Sequence, residues 1–152
     1  PADVDRRQLP IAFSNLTDAF EKAVTDKDAA KTSRLFVDTL DKVLKKFLHE
    51  EFDLGWGHRV QEYASRFVPV FLATGGQAGE AADHVLASKI LRKLRGRHDL
   101  STPPLVALQE KVMEVLAVVD PKFKPTFSNS AALALIARER KALDSNYNFE
   151  KA

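Results

Sequence analysis

Arg59 stands where an arginine could contact a phosphate. It follows Gly55, Trp56 and Gly57 and falls in the first turn of a predicted helix. A guanidinium fixed at a helix start can donate two parallel hydrogen bonds to phosphate oxygens, and it never loses its charge. The glycines would form the preceding turn, and Trp56 would anchor that turn in the core. The same residues also suit an ordinary turn followed by a surface cation.

A cluster of cations in residues 89–98 is the second candidate site. Its members are Lys89, Arg92, Lys93, Arg95, Arg97 and His98. The first three project away from the apolar positions of the same predicted helix, which therefore presents an amphipathic basic face. Such a face is usually a solvated surface, but it also suits an acidic partner or a nucleic-acid backbone. The cluster contains no aromatic residue for base stacking.

The chain lacks the motifs of the common catalytic and metal sites. Its glycine-rich stretch ATGGQAGEAA is not followed by the Lys and the Ser or Thr that a phosphate-binding P-loop requires. No two of the 4 histidines have the spacing that places two metal ligands on one helical face. Adjacent carboxylates such as Glu50 and Glu51 look like solvated helix faces. We therefore predict no catalytic residue, no metal ligand and no cofactor held by this chain alone.

Composition indicates one globular domain over residues 1–152. Hydrophobic residues make up 45% and charged residues 29%, and the net charge of +2 means that attraction to nucleic acid needs local clustering. The absence of cysteine excludes disulfides and thiolate metal sites and fits a reducing cytoplasm. The chain has no apolar run that could span a bilayer, and the opening PADVDRRQLP lacks the apolar centre of a signal peptide. We predict a cytoplasmic protein without membrane contact.

Apolar side chains recur at helical spacing along most of the chain, which predicts an all-α bundle of about six helices. The first helix would begin near Ser14 or Asn15, either of which could cap it. The third would follow Gly57, and Pro69 should kink it. The second helix would bury one continuous face formed by Leu35, Phe36, Thr39, Leu40, Val43, Leu44, Phe47 and Leu48.

Caps and prolines mark the last three predicted helices. The fourth would end at Gly96 in a left-handed cap, and the fifth would begin at Ser101 or Thr102. The last would begin at Ser128 or Ser130, after the proline-broken segment PKFKPTF. The positions predicted to be buried in these helices are Leu86, Ile90, Leu94, Leu105, Leu108, Val112, Val115, Leu116, Val119, Leu133, Ile136, Ala137 and Leu143.

The order of these motifs resembles the C-terminal helical subdomain, or lid, of McrB-type AAA+ motors. GHRVQEYASRFV is similar to the Gly-aromatic-Arg start of the lid helix that carries the sensor 2 arginine, with His58 and Arg59 in the last two positions. ADHVLASKILRKLRGRHDL is similar to a helix ending in Lys-hydrophobic-Leu-Pro-Lys-hydrophobic-x-Gly, except that Arg92 stands where proline is usual. SNSAALALIARERKALDSNYNFEKA resembles the family's closing helix through Ser130, Leu143, Asn146, Tyr147 and Phe149.

The resemblance implies a lid without catalytic residues that moves against an αβ core and against neighbouring subunits of a ring. Arg59 would reach the terminal phosphate of ATP or GTP, bound with magnesium in a P-loop core that would lie N-terminal to Pro1. Rings of this family drive an endonuclease partner on DNA, and that activity belongs to the assembly. The residues also allow a stand-alone helical adaptor or a nucleic-acid-binding module that uses the basic helix face. An enzyme of unfamiliar type ranks last, because no nucleophile, base and oxyanion donor can be placed together.

Overall fold

The computed structural model describes the backbone of residues 27–151 and the side chains of residues 27–145. The described residues form five helices and no strand, which confirms the all-α fold predicted from the helical spacing. The helix predicted to begin near Ser14 or Asn15 lies outside the described residues. So do the side chains of Asn146, Tyr147 and Phe149, which carry part of the resemblance in the closing segment.

The first helix, α1, has three consecutive parts: α-helical Lys27–Leu40, π-helical Asp41–Lys45 and α-helical Lys46–Phe52. A row of buried residues recurs along it at every fourth position: Phe36, Leu40, Leu44, Leu48 and Phe52. A step of four residues overshoots one α-helical turn by about 40°, so this row would drift around a regular helix. The wider π-helical turn in the middle absorbs the drift and keeps the row against the core.

Leu35 is the one member of the predicted α1 face that the structure exposes. Its side chain is 43% exposed, so the prediction of burial is wrong at this position. Leu35 immediately precedes Phe36, and one residue turns an α-helix by about 100°, which carries Leu35 away from the four-residue row. The other seven positions of the predicted face are buried or half-buried.

The second helix, α2, spans His58–Ala73 and continues through the buried Pro69 to its end. The third, α3, begins as a regular helix over Ala78–Val85 and then changes to a π-helical turn over Leu86–Ile90 and a 3₁₀ turn over Leu91–Leu94. Gly96 follows with a φ of 73°. The left-handed conformation predicted for Gly96 is confirmed, and glycine adopts it without a steric cost. The helix itself ends at Leu94, however, and Arg95 is extended, so Gly96 belongs to the turn after the helix rather than to its cap.

The fourth helix, α4, spans Thr102–Val119 with Ser101 at its N-cap, and the fifth, α5, spans Ala131–Lys151. Ser130 caps α5, because its Oγ accepts a hydrogen bond of 3.1 Å from the Leu133 amide. Both starts agree with the predicted caps. All six positions predicted to be buried in α4 are buried: Leu105, Leu108, Val112, Val115, Leu116 and Val119.

The five helices enclose one continuous hydrophobic core. Helix α1 packs against α2 and α4, while α3 packs against α2, α4 and α5. Each fully buried Leu or Phe in such a core contributes about 1.5–3 kcal/mol relative to an exposed side chain. Because α3 lies between α2 and α5, the cations of α3 are held beside the outer surfaces of both neighbours.

Candidate functional site

The turn between α1 and α2 depends on Asp53 rather than on the two glycines. Asp53 has a φ of 49°, whereas Gly55 and Gly57 are not among the residues with positive φ. The amides of Asp53 and Leu54 donate hydrogen bonds of 3.1 Å to carbonyl groups in the last turn of α1. An aspartate tolerates the left-handed conformation better than most residues, so it can end a helix as glycine does. The expectation that the glycines make this turn is therefore corrected.

Trp56 and the two glycines nevertheless frame the start of α2. Trp56 is half-buried and packs against the hydrophobic core, as an anchor for the turn should. Gly57 is the N-cap of α2 in an extended conformation, and its carbonyl accepts a hydrogen bond of 3.1 Å from the Val60 amide. The Gly55 carbonyl accepts a hydrogen bond of 3.2 Å from the Lys93 ammonium. The turn is thus fixed to the core and to the end of α3.

Arg59 is exposed in the first turn of α2, and its guanidinium makes no hydrogen bond or ion pair with any described residue. The nearest carboxylate along the helix, Glu62, instead lies 3.2 Å from His58 Nε2. Arg59 borders an open groove of about 430 Å³ that is also lined by Glu62, Tyr63, Arg66, Phe67 and Val70. A guanidinium in this position can contact a ligand without first breaking an internal bond.

A column of stacked side chains lies behind this groove and joins α2 to α3. Tyr63 stacks on Phe67 with ring centres 5.4 Å apart, and Phe67 stacks on His84 of α3 at 4.8 Å. The Lys89 ammonium lies 4.4 Å from the centre of the Tyr63 ring, a cation–π distance. The sequence places no aromatic residue inside the basic cluster, but the packing of α2 on α3 places two beside it.

Two further cations of the cluster in residues 89–98 donate hydrogen bonds within the chain. Lys93 binds the Gly55 carbonyl, as described above. Arg97 donates hydrogen bonds from Nε and Nη2 to Asp99 and from Nη1 to the Phe52 carbonyl. The hydrogen bond from Arg97 holds the pKa of the Asp99 carboxyl below its usual value, and the same bond raises the pKa of Arg97. Arg97 therefore serves the fold by fastening the segment after α3 to the end of α1.

Arg92 and Arg95 instead line a second groove, of about 430 Å³, together with His84 and with Arg138 of α5. The rest of the lining is small or apolar: Ala87, Ser88, Ala131, Ala134 and Leu135. None of these lining residues is acidic. Sequence reasoning missed Arg138, which lies 46 positions after Arg92; no sequence spacing signals a contact over that distance.

Comparisons of this chain with protein-family models, with curated proteins and with solved structures find no match. Within the described residues, no helix is both long and apolar enough to cross a membrane. Among those same residues, no three His, Asp or Glu side chains come together as metal ligands. Fold and site thus define an all-helical bundle with an exposed cationic surface. The relationship to McrB-type lids stays a prediction from the sequence motifs.

Proposed function

We propose that this chain is the helical lid of a nucleotide-driven AAA+ motor of the McrB type. In this proposal the lid carries no catalytic residue, and Arg59 contacts the terminal phosphate of ATP or GTP held with magnesium by a separate αβ core. The observation that carries the proposal is the exposed Arg59 guanidinium, unpartnered among the described residues, in the first turn of α2. An arginine bound to a carboxylate of its own helix could not serve in this way.

The surroundings of Arg59 support a contact made in trans. Glu62 lies 3.2 Å from His58 Nε2 and makes no ion pair with Arg59, so the guanidinium is available to a phosphate. Two unit charges 4 Å apart attract by about 1 kcal/mol in water and by about 4 kcal/mol where water is partly excluded. Closure of an αβ core over the groove would therefore strengthen the contact between Arg59 and the phosphate. An open site that becomes enclosed is the behaviour expected of a lid.

The groove beside Arg59 suits contact with such a core. The half-buried Tyr63, Phe67 and Val70 form its floor. Its exposed rim carries Arg59 and Arg66 together with Glu62. A mixed aromatic and cationic surface of this kind is typical of interfaces between protein parts that change their relative angle. We propose that the core and the neighbouring ring subunit contact α2 here, in the cytoplasm, and that an endonuclease partner joins the assembled ring.

Nucleotide binding tests the proposal. The isolated chain should bind neither ATP nor GTP measurably in a calorimetric titration with magnesium, since it has no P-loop. In the complete motor, Arg59→Ala should lower the hydrolysis rate, and Arg59→Lys should recover only part of it, because a lysine keeps the charge but loses the two-pronged geometry. Tight nucleotide binding by the isolated chain would contradict the assignment.

A stand-alone adaptor or nucleic-acid-binding module is the second candidate function. In its simplest form it uses Lys89, Arg92 and Lys93 as one basic helix face. Two of these cations already have internal contacts, because Lys89 lies over Tyr63 and Lys93 binds the Gly55 carbonyl. The specific observation that favours this candidate is a different surface, the groove where Arg92 and Arg95 meet Arg138.

A further inference from the structure

We infer that the groove lined by Arg92, Arg95 and Arg138, here named the three-arginine groove, binds the phosphate backbone of nucleic acid without reading the bases. This site goes beyond the lid proposal, because a lid contacts its nucleotide through Arg59 and needs no second anion site. The groove is lined by positive charge. Three guanidiniums and the His84 imidazole line it, and no lining residue is acidic.

The buried carboxylate that precedes His84 in the chain is engaged elsewhere. Asp83 is 5% exposed and accepts hydrogen bonds from the Ser130 hydroxyl and from the amides of Ala131 and Ala132. Its charge is therefore balanced by the N-terminus of α5, where backbone N–H groups carry partial positive charge. Arg92, Arg95 and Arg138 make no hydrogen bond or ion pair with any described residue, so their donors are available to a ligand in the groove.

The lining favours a phosphate backbone over a protein segment. Protein partners usually bury aromatic or large aliphatic anchors in pockets, and this groove offers only alanines, Ser88 and Leu135 between its cations. Interfaces with nucleic acid are more positively charged and less apolar than interfaces between proteins. The alanines also leave room for a sugar–phosphate chain to approach the guanidiniums, which match phosphate oxygens with paired donors.

The neighbouring aromatic column offers no free ring for base stacking. Tyr63 has the Lys89 ammonium and the Phe67 ring against it, and Phe67 also stacks on His84. These contacts occupy both rings, so the arginines are left to bind the phosphates. Phosphate contacts alone position a nucleic acid but carry no sequence information. The expected binding is therefore independent of base sequence.

Fluorescence anisotropy with a labelled duplex of about 20 base pairs, repeated at several salt concentrations, tests the inference. Each phosphate contact makes the slope of log association constant against log salt concentration more negative by about 0.9. Three arginine contacts predict a slope of about −2.7 for the intact protein. Arg138→Gln should change the slope by about one unit. The pair Arg92→Glu and Arg138→Glu should weaken binding at least about tenfold at low salt. Two unrelated duplex sequences should bind equally.

Arg34→Glu is the matched control, because Arg34 is an exposed arginine that borders a different groove, beside Ser33 and His58. It should leave the affinity almost unchanged, and so should Arg59→Ala. Circular dichroism of each variant, including the neutral Arg138→Gln, distinguishes a loss of binding from a loss of folding. No binding at low salt, or equal losses for Arg34→Glu, would overturn the inference. Displacement of the duplex by an acidic peptide or by ATP with higher affinity would assign the groove to that ligand instead.

These outcomes are separable from those of the lid proposal. Failure of the three-arginine groove to bind a duplex leaves the nucleotide contact of Arg59 untouched. Conversely, normal hydrolysis by an Arg59→Ala motor would remove the lid mechanism, while the salt dependence of duplex binding would still decide the role of Arg92, Arg95 and Arg138.

Discussion

The ammonium group of Lys89 lies 4.4 Å from the centre of the Tyr63 ring, and this contact joins α3 to α2. Tyr63 lines the groove of Arg59, and Lys89 lies on α3 with Arg92 of the three-arginine groove. A cation over an aromatic ring contributes about 0.5–1 kcal/mol at an exposed site. Together with the Phe67–His84 stack, the contact fastens α3 to α2.

The buried Asp83 should stabilise the start of α5. Asp83→Ala removes the acceptor for the Ser130 hydroxyl and for two backbone amides. Each buried donor left without a partner costs about 1–3 kcal/mol, and partial access to water reduces the sum. We expect Asp83→Ala to lower the free energy of unfolding by about 2–4 kcal/mol in urea titrations.

Ser130→Ala provides the paired measurement. It removes the N-cap of α5 and should cost about 1 kcal/mol. Because Ser130 also donates to Asp83, the double variant should lose about 1 kcal/mol less than the sum of the single variants. Strict additivity of the two substitutions would show that the hydroxyl and the carboxylate do not stabilise each other.

Gly79 should not tolerate a side chain, although it lies inside a helix. A Cβ atom added at Gly79 would lie 2.5 Å from both Cβ and Cγ of Phe123. Alanine is favoured over glycine in a helix by about 1 kcal/mol, but overpacking against a core residue costs about 1–3 kcal/mol. We expect Gly79→Ala to lower the free energy of unfolding by up to about 2 kcal/mol, the overpacking cost less the gain in helix propensity, measured in urea.

Gly55→Ala is the control for that substitution. Nothing lies within 4 Å of a Cβ atom at Gly55, and its φ is not in the left-handed region. The change in unfolding free energy should stay within about 0.5 kcal/mol. A larger loss at Gly55 than at Gly79 would mean that the turn before α2 depends on glycine after all.

The ion pair of Arg97 with Asp99 should make stability depend on pH at the acidic end. The folded state lowers the pKa of Asp99 through the hydrogen bond from Arg97. A carboxyl whose pKa is lower in the folded state stabilises the fold at pH values above its pKa in the unfolded chain, which is about 3.9. This stabilisation is lost as the pH falls through the pKa of the folded state. Wild type and Asp99→Asn should therefore differ by a constant amount near neutral pH and converge below about pH 4.

Urea titrations at several pH values measure this difference. Arg97 stays charged throughout the accessible range, so its own titration contributes nothing there. The pKa of Asp99 in the unfolded chain, about 3.9, lies between pH 3 and pH 7. An equal difference in unfolding free energy between wild type and Asp99→Asn at these two pH values would contradict the ion pair.

Much of the fold follows from local patterns in the sequence. The buried positions of α4, the cap at Ser130 and the left-handed glycine at Gly96 each depend on residues within one or two helical turns. These features can be predicted from local sequence because a cap satisfies the backbone groups of its own helix, and an apolar face is buried wherever that helix packs. The π-helical turns could not be predicted so directly, since they reconcile a four-residue row with the core.

The candidate sites were harder to predict, because they depend on contacts between distant parts of the chain. Arg97 looked like a member of the basic face, but the Phe52 carbonyl, 45 positions earlier, and the neighbouring Asp99 hold it. Arg138 reaches the groove of Arg92 only through the packing of α5 on α3. Arg59, in contrast, was placed correctly in the first turn of a helix by its local sequence.

The hydrolysis rate of the complete motor tests the lid proposal most directly. Arg34→Ala is the matched control, because Arg34 is an exposed arginine that borders a different groove. We expect Arg59→Ala to lower kcat about a hundredfold, as loss of one charge-stabilising donor does, while Arg34→Ala stays close to wild type and both proteins keep their helical content. Equal hydrolysis by the Arg59→Ala motor and the wild type would contradict the account.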